Sequence, residues 1–436
     1  MKKIRSMNSP LVCVMLVTLL VSSAMGCSGV SESSALTNTN AEPARNGDEM
    51  KETEKGEETG SMNNSVASAY TNFGFKLYSK VAADEAGKNV FISPMSVAFA
   101  LSMVWNGAAG ETREAMARAL ELQGMSLDDV NRASAALKGA LEKADPKVQL
   151  RIANSLWAKK GVAFKPDFTG RNREFYKAEV EELNFADPKA KDTINQWVSR
   201  NTEGKIKEII DQIEPSSIMF LINAIYFKGS WAVEFKKDET TEQPFTLATG
   251  NRKQVQMMSQ SGSYQYLENG DFQAISLPYG DKRWNMYVFL PSQGKSLAEF
   301  QKSLTSSKWE AWMSGFKKRD GEILLPRFRI EYEKELNDAL KSLGMGVAFD
   351  ELRADFSGMI ESSERAYISK VKHKTFVEVN EEGTEAAAAT SAGISITSVQ
   401  RPVQRFRMVV DRPFLCAIRD NQTGAVLFLG AINDPQ

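Results

Sequence analysis

The 436-residue chain contains one histidine and three cysteines. With one imidazole, a histidine-dependent hydrolase would rest entirely on His373. It stands in Val371-Lys372-His373-Lys374-Thr375-Phe376-Val377, an alternating run that reads as a strand, where a hydrogen-bonded core histidine is the ordinary outcome. There is no Gly-x-Ser-x-Gly elbow, His-Glu-x-x-His helix, Walker loop or Cys-x-x-Cys pair, so no motif points to a catalytic residue, a metal or a cofactor. Cys13 and Cys27 lie near the start, which leaves Cys416 without an intramolecular partner in the body of the chain. Its setting, Phe414-Leu415-Cys416-Ala417-Ile418, reads as that of a small buried hydrophobe. Lysine plus arginine (54) balance aspartate plus glutamate (55), so no basic field draws in nucleic acid.

What the N-terminus does have is an address. Lys2, Lys3 and Arg5 precede an apolar stretch over 11–21, and Ala24-Met25-Gly26-Cys27 closes it, the pattern of a secretion signal. That stretch is shorter than the roughly 20 residues needed to span a bilayer. The ending resembles a bacterial lipobox, which implies cleavage before Cys27 and lipid attachment to its thiol. The protein is therefore expected to be exported and held by lipid in the bacterial cell envelope, at the outer membrane or cell surface, or otherwise secreted. Residues 28–60 have no aromatic side chain and carry eight acidic against three basic groups. Residues 28–64 are expected to be a disordered, solvated spacer.

From Val66 the pattern becomes helical, with Val66, Tyr70, Phe73, Leu77 and Val81 three or four residues apart. A short strand over 89–93 is stopped by Pro94, and helices are expected over 95–105, 112–120, 193–201 and 333–343. Strands are expected over 149–158, 217–227, 285–290, 321–328, 376–380, 408–419 and 425–431. The continuous apolar character of 217–227 predicts burial on both faces. Helices dominate early and strands late, so the expected class is α+β with mostly antiparallel sheets.

The most unusual stretch follows the last of a strand: Asn380-Glu381-Glu382-Gly383-Thr384-Glu385-Ala386-Ala387-Ala388-Ala389-Thr390-Ser391-Ala392-Gly393. Four alanines favour helix, whereas threonine, serine and glycine do not. With period two, Thr384, Ala386, Ala388, Thr390, Ala392 and Ile394 form one uncharged, slender face. Such a segment can enter a sheet as an added strand without clash, and Gly383 supplies a permissive turning point. The plain alternative is a flexible surface loop.

Residues 380–390 resemble the hinge of inhibitory serpins. Asn89-Val90-Phe91-Ile92-Ser93-Pro94-Met95-Ser96, Asn223-Ala224-Ile225-Tyr226-Phe227-Lys228-Gly229-Ser230-Trp231 and Asp411-Arg412-Pro413-Phe414 with residues 424–430 resemble further stretches of that family, in the same order. The resemblance covers about residue 65 to Pro435. It implies one domain, 65–436, of three mostly antiparallel β-sheets and eight or nine helices, with an exposed reactive loop at about 381–405. It also implies a monomer that inhibits serine endopeptidases, with cysteine endopeptidases as a further target class, as a suicide substrate rather than an enzyme.

Family spacing from Thr384 puts the reactive bond at Thr397-Ser398, and Ile396 and Val399 are alternatives. The flank Ile394-Ser395-Ile396-Thr397 implies an elastase-like or broad-specificity target. The resemblance makes Ser93, Ser96, Asn223 and His373 the shutter of the central sheet and Trp231 the aromatic beneath the hinge's entry point, the breach. Non-inhibitory members of the family and solute-binding surface lipoproteins are the competing classes, and the absence of charge, bulk or proline among the inward hinge positions favours inhibition.

Overall fold

The computed structural model describes residues 47–214, 217–361, 366–384 and 405–435, with side chains from residue 65 onward. The chain divides into two units, Met1–Lys51 and Glu52–Gln436. Only residues 47–51 of the first are described, and the sheets and sites below belong to the second.

Helical spacing in the sequence becomes burial in α1 (Gly47–Asp84), where Val66, Tyr70, Phe73, Leu77 and Val81 are fully buried. The helix starts within the stretch that composition assigns to a solvated spacer. The glutamates and lysines that recur there are good helix formers. The helices that follow are α2 (Pro94–Trp105), α3 (Gly110–Ala119), α4 (Leu127–Glu142), α5 (Pro166–Arg171), α6 (Ala190–Asn201), α7 (Leu297–Lys302), α8 (Ser306–Gly315) and α9 (Asn337–Leu340). Every residue of α2 is buried, as befits a helix running through the core. Pro94 suits its first turn, where no N–H is needed, and the Ser93 hydroxyl caps it by accepting from Ser96 N–H.

The strands in chain order are β1 (Val90–Ile92), β2 (Val148–Lys159), β3 (Glu179–Leu183), β4 (Met219–Ser230), β5 (Thr241–Thr246), β6 (Arg252–Glu268), β7 (Phe272–Pro278) and β8 (Trp284–Pro291). They continue with β9 (Lys317–Pro326), β10 (Phe328–Glu335), β11 (Lys370–Asn380), β12 (Gly383–Thr384), β13 (Phe406–Val409), β14 (Phe414–Asp420) and β15 (Val426–Ile432). Among the described residues they form a six-stranded sheet, β10-β11-β12-β4-β2-β3, and a nine-stranded one, β1-β15-β14-β8-β7-β6-β9-β13 with β5 on β6. In the larger sheet the 17-residue β6 pairs with β5 and then β9 along most of its length and with β7 at its end. The architecture is α+β.

Two predicted elements are corrected. The helix expected over 333–343 is the end of strand β10 followed by α9: Phe328, Ile330 and Tyr332 are buried with exposed residues between them, a period of two. The α9 helix begins only at Asn337, whose side chain accepts from Val371 N–H and donates to Ser369 O. The strand expected over 408–419 is two strands with different neighbours, β13 parallel to β9 and β14 antiparallel to β8. The break falls at Asp411-Arg412-Pro413, where proline has no N–H for a ladder.

Strand β4, in the middle of the six-stranded sheet, is buried on both sides. Leu221, Ile225 and Phe227 of β4 face the main core, and Phe220, Ile222 and Ala224 face a second apolar cluster with Ile194, Trp197 and Val198 of α6. This explains the unbroken apolar run of β4. Cys416 is fully buried in β14, and burial pushes its thiol pKa far up, so it is inert packing.

Candidate functional site: a closed sheet and its hinge

Strands β11 and β4 pair directly and in parallel from Lys370 with Phe220 to Phe376 with Tyr226. Beyond that stretch they part, and β12 lies between them. Val379 pairs with Thr384 and Asn380 with Gly383 on one side, while Gly383 pairs with Ser230 and Thr384 with Gly229 on the other. Gly383 and Thr384, which the sequence resemblance assigns to the hinge, therefore occupy the mouth of a slot that is closed below.

A line of polar groups crosses the closed part. Asn154 of β2, Asn223 of β4 and His373 of β11 are register partners, and each points to the core face of its strand. His373 Nε2 accepts from Ser93 N–H at 3.0 Å, so Nδ1 carries the proton and donates to Asn223 Oδ1 at 2.6 Å. Ser96 Oγ donates to the same Oδ1 at 2.7 Å, and Asn223 Nδ2 donates to Ser96 O at 3.0 Å and Asn154 Oδ1 at 2.6 Å. The Ser93 hydroxyl donates to Leu427 O at 2.7 Å. Burial lowers the His373 pKa from 6.5 to about 3, so the ring is neutral. A neutral ring wedged in such a network holds strands together and has no nucleophile to serve.

The mouth of the slot is built from aromatic rings. Trp231 follows β4 and stacks on Tyr279, with centroids 4.4 Å apart and planes 10° from parallel. Its indole N–H donates to Asn380 O and its backbone N–H to Glu382 O, each at 2.9 Å. Tyr279 Oη lies 2.6 Å from Thr384 Oγ1, and Thr384 is fully buried. Gly383 has φ of +147°, and a Cβ there would lie 2.1 Å from Gly229 O, so no other residue fits.

The two glutamates before it are anchored as well. Glu381, 2% exposed, accepts from both Arg327 Nε, at 2.7 Å, and Arg327 Nη2, and from the Thr240 hydroxyl. Phe235 N–H donates to Glu381 O at 2.9 Å. Burial pushes the Glu381 carboxyl up, but the Arg327 and Thr240 hydrogen bonds outweigh it and the net shift is downward. Glu382 pairs with Lys237.

The structure thus brings Ser93, Ser96, Asn223 and His373 into one cluster, and Trp231 with Glu381, Glu382, Gly383 and Thr384 into another. Glu385, Ala386, Ala387, Ala388, Ala389, Thr390, Ile396, Thr397, Ser398, Val399 and Cys27 lie outside the described residues. Sequence reasoning missed Asn154, Tyr279, Arg327 and Thr240. Asn154 carried a signal, a polar residue on the inward side of a strand, whereas the others meet the hinge only through the fold.

A protein of this class has a central sheet closed by a polar line, with a strand-forming segment seated at its open end. The model for the serpin family, described as serine protease inhibitor, matches residues 68–435. Human Serpin B8 is 38% identical over 378 residues, covering 85% of this chain and 99% of that protein. Human leukocyte elastase inhibitor is 35% identical over 382 residues, with 85% and 99% covered. The crystal structure of the thermophilic serpin tengpin in the native state superposes with a TM-score of 0.76 and 33% identity, over 86% of this chain and 94% of that one. The chain belongs to the serpin family, whose members are mostly protease inhibitors.

Proposed function

We propose that the protein is an irreversible inhibitor of serine endopeptidases, and of cysteine endopeptidases where they accept the loop, acting by acyl-enzyme trapping. The observation that carries this reading is the pairing of Gly383 and Thr384 between β11 and β4, directly above the stretch where those strands pair with each other. A protease nucleophile attacks the Thr397 carbonyl, with Ile396 or Val399 as alternative reactive residues. The amide bond to Ser398 breaks, the new amine leaves with a proton, and Thr397 stays esterified to the enzyme. The freed hinge then continues into the slot as a strand.

Continuing the register of β12 would bring Thr390 opposite Asn223 on one side and His373 on the other. Alternate residues share a face, so Thr390 would point inward with the buried Thr384. Its hydroxyl would replace the direct bond between the two strands, which is the role proposed for the Ser93, Ser96, Asn223 and His373 shutter. Residues 384–397, extended, span about 45 Å at about 3.3 Å each. The tethered protease is carried that far, its active site is deformed, and deacylation stalls. Trp231 acts as the platform of the breach at the hinge's entry.

Specificity is proposed to be elastase-like or broad, from the small and β-branched flank Ile394-Ser395-Ile396-Thr397 and from the similarity to leukocyte elastase inhibitor. The test is incubation with a protease panel and denaturing electrophoresis. A band of summed mass and a released peptide starting at Ser398 are expected. Cleavage with no band that survives boiling in detergent excludes inhibition. We also propose lipid attachment at Cys27 and a cell-envelope location, tested by labelled fatty acid incorporation, which Cys27→Ala should abolish.

A further inference from the structure

The segment that seats the hinge has a second face. Trp231 and Phe235, whose backbone N–H groups hold Glu382 and Glu381, also line a cavity of about 370 Å³ with Tyr264, Leu277, Pro278 and Val233. That volume is in the range of small-molecule sites. Val233 is 63% exposed, one of two large apolar side chains exposed to that degree among the described residues. The wall is fixed rather than loose. Gln260 donates to Val233 O at 3.1 Å and Glu234 O at 2.8 Å, and accepts from the Tyr264 hydroxyl at 2.7 Å. Gly262 keeps the floor open, since a Cβ there would crowd the Tyr264 ring at 3.2 Å.

Lys282 and Lys318 stand at the rim, exposed and without an ion-pair partner among the described residues. Apolar and aromatic walls with two free cations at the edge suit a small amphipathic anion. We propose that this cavity binds an aromatic carboxylate, its ring against Trp231 and Phe235 and its carboxylate on the two lysines, and that the bound molecule restrains the hinge. A ligand that fits the seated arrangement favours it over any state in which residues 231–235 have shifted. Its effect is to slow entry of the cut loop and raise the fraction of inhibitor lost as plain cleaved product. This second half rests on the trapping mechanism proposed above, whereas binding does not.

The probe is 2-naphthoate, titrated into the full chain by calorimetry and saturation-transfer NMR. K282A/K318A should raise its dissociation constant at least tenfold while leaving the melting profile unchanged. Amide exchange at Trp231 and Phe235, which needs no protease, should slow at least threefold at saturation. With a trapped protease, the cleaved but uncomplexed fraction should at least double. Absence of binding at millimolar probe, or equal binding by the double variant, overturns the site. Unchanged exchange or unchanged partition overturns the coupling to the hinge. A protein that never forms covalent complex, with or without probe, refutes trapping while the binding and exchange results stand.

Discussion

Tyr279 Oη lies 2.6 Å from Thr384 Oγ1, which ties the buried hinge threonine to the ring stacked on Trp231. On the proposed insertion Thr384 already occupies the position it would keep as the first residue of the added strand, so the cut and uncut forms would share this contact. Tyr279→Phe leaves a buried hydroxyl without that partner, at about 1–2 kcal/mol. The thermal midpoints of the uncut and loop-cleaved proteins should both fall, with trapping retained. A fall in only one of them would mean that Thr384 leaves its seat on insertion.

Arg327 and Thr240 grip Glu381 from outside the slot. Arg327→Ala strands a buried carboxylate. The cost is about 2 kcal/mol, below the figure for a fully buried pair because the Arg327 side chain reaches solvent. The folded-state pKa of Glu381 is lowered, so its contribution is present above the ordinary glutamate range and lost as pH falls through and below it. Urea midpoints of the two proteins should differ at pH 7, and the difference should shrink as pH falls below the ordinary glutamate range. A difference that stays constant on acidification would show that arginine acts through packing instead.

Local sequence carried the pieces and not their meeting. The apolar period of α1, the two-sided burial of β4 and the slender alternate face beginning at Thr384 are local patterns, readable without a fold. The end of β10 misled because Glu333, Lys334 and Glu335 are helix-favouring residues, and pairing with β11 overrode propensity. Tyr279 and Arg327 are an ordinary tyrosine and an ordinary arginine in sequence. They acquire their roles from partners 105 and 54 positions away.

His373 is the chain's single histidine, so a stability change between pH 6.5 and 5 reports on it. Its folded pKa is lowered to about 3 by burial. The unfolded ring takes up a proton first, so stability is intact above 6.5 and is lost as pH falls below it. The expected slope is about 1.4 kcal/mol per pH unit once below 6.5. Protonation would also put an Nε2 proton against Ser93 N–H, where the neutral ring accepts at 3.0 Å. Urea midpoints of the native protein should decline across this window, and His373→Gln should flatten the decline. An equal slope in the variant would assign the titration elsewhere.

Thr384→Arg and Thr390→Arg separate the seat from the slot. Thr384 is 1% exposed between Gly229 and Val379, so arginine there buries an unpaired charge at a cost of several kcal/mol. The uncut protein loses its hinge seat and the cut loop cannot begin to enter. Thr390→Arg leaves that seat and the direct pairing of β11 with β4 untouched, yet would bring a guanidinium between His373 and Asn223 once insertion reached them. The expected result is a lowered midpoint before cleavage for Thr384→Arg alone. Both variants should be cut to completion with little covalent complex, and loop cleavage should add no heat resistance to either. If Thr390→Arg traps protease at unchanged stoichiometry, the strand does not pass the polar line of His373, Asn223 and Asn154, and inhibition must stop the protease by another route.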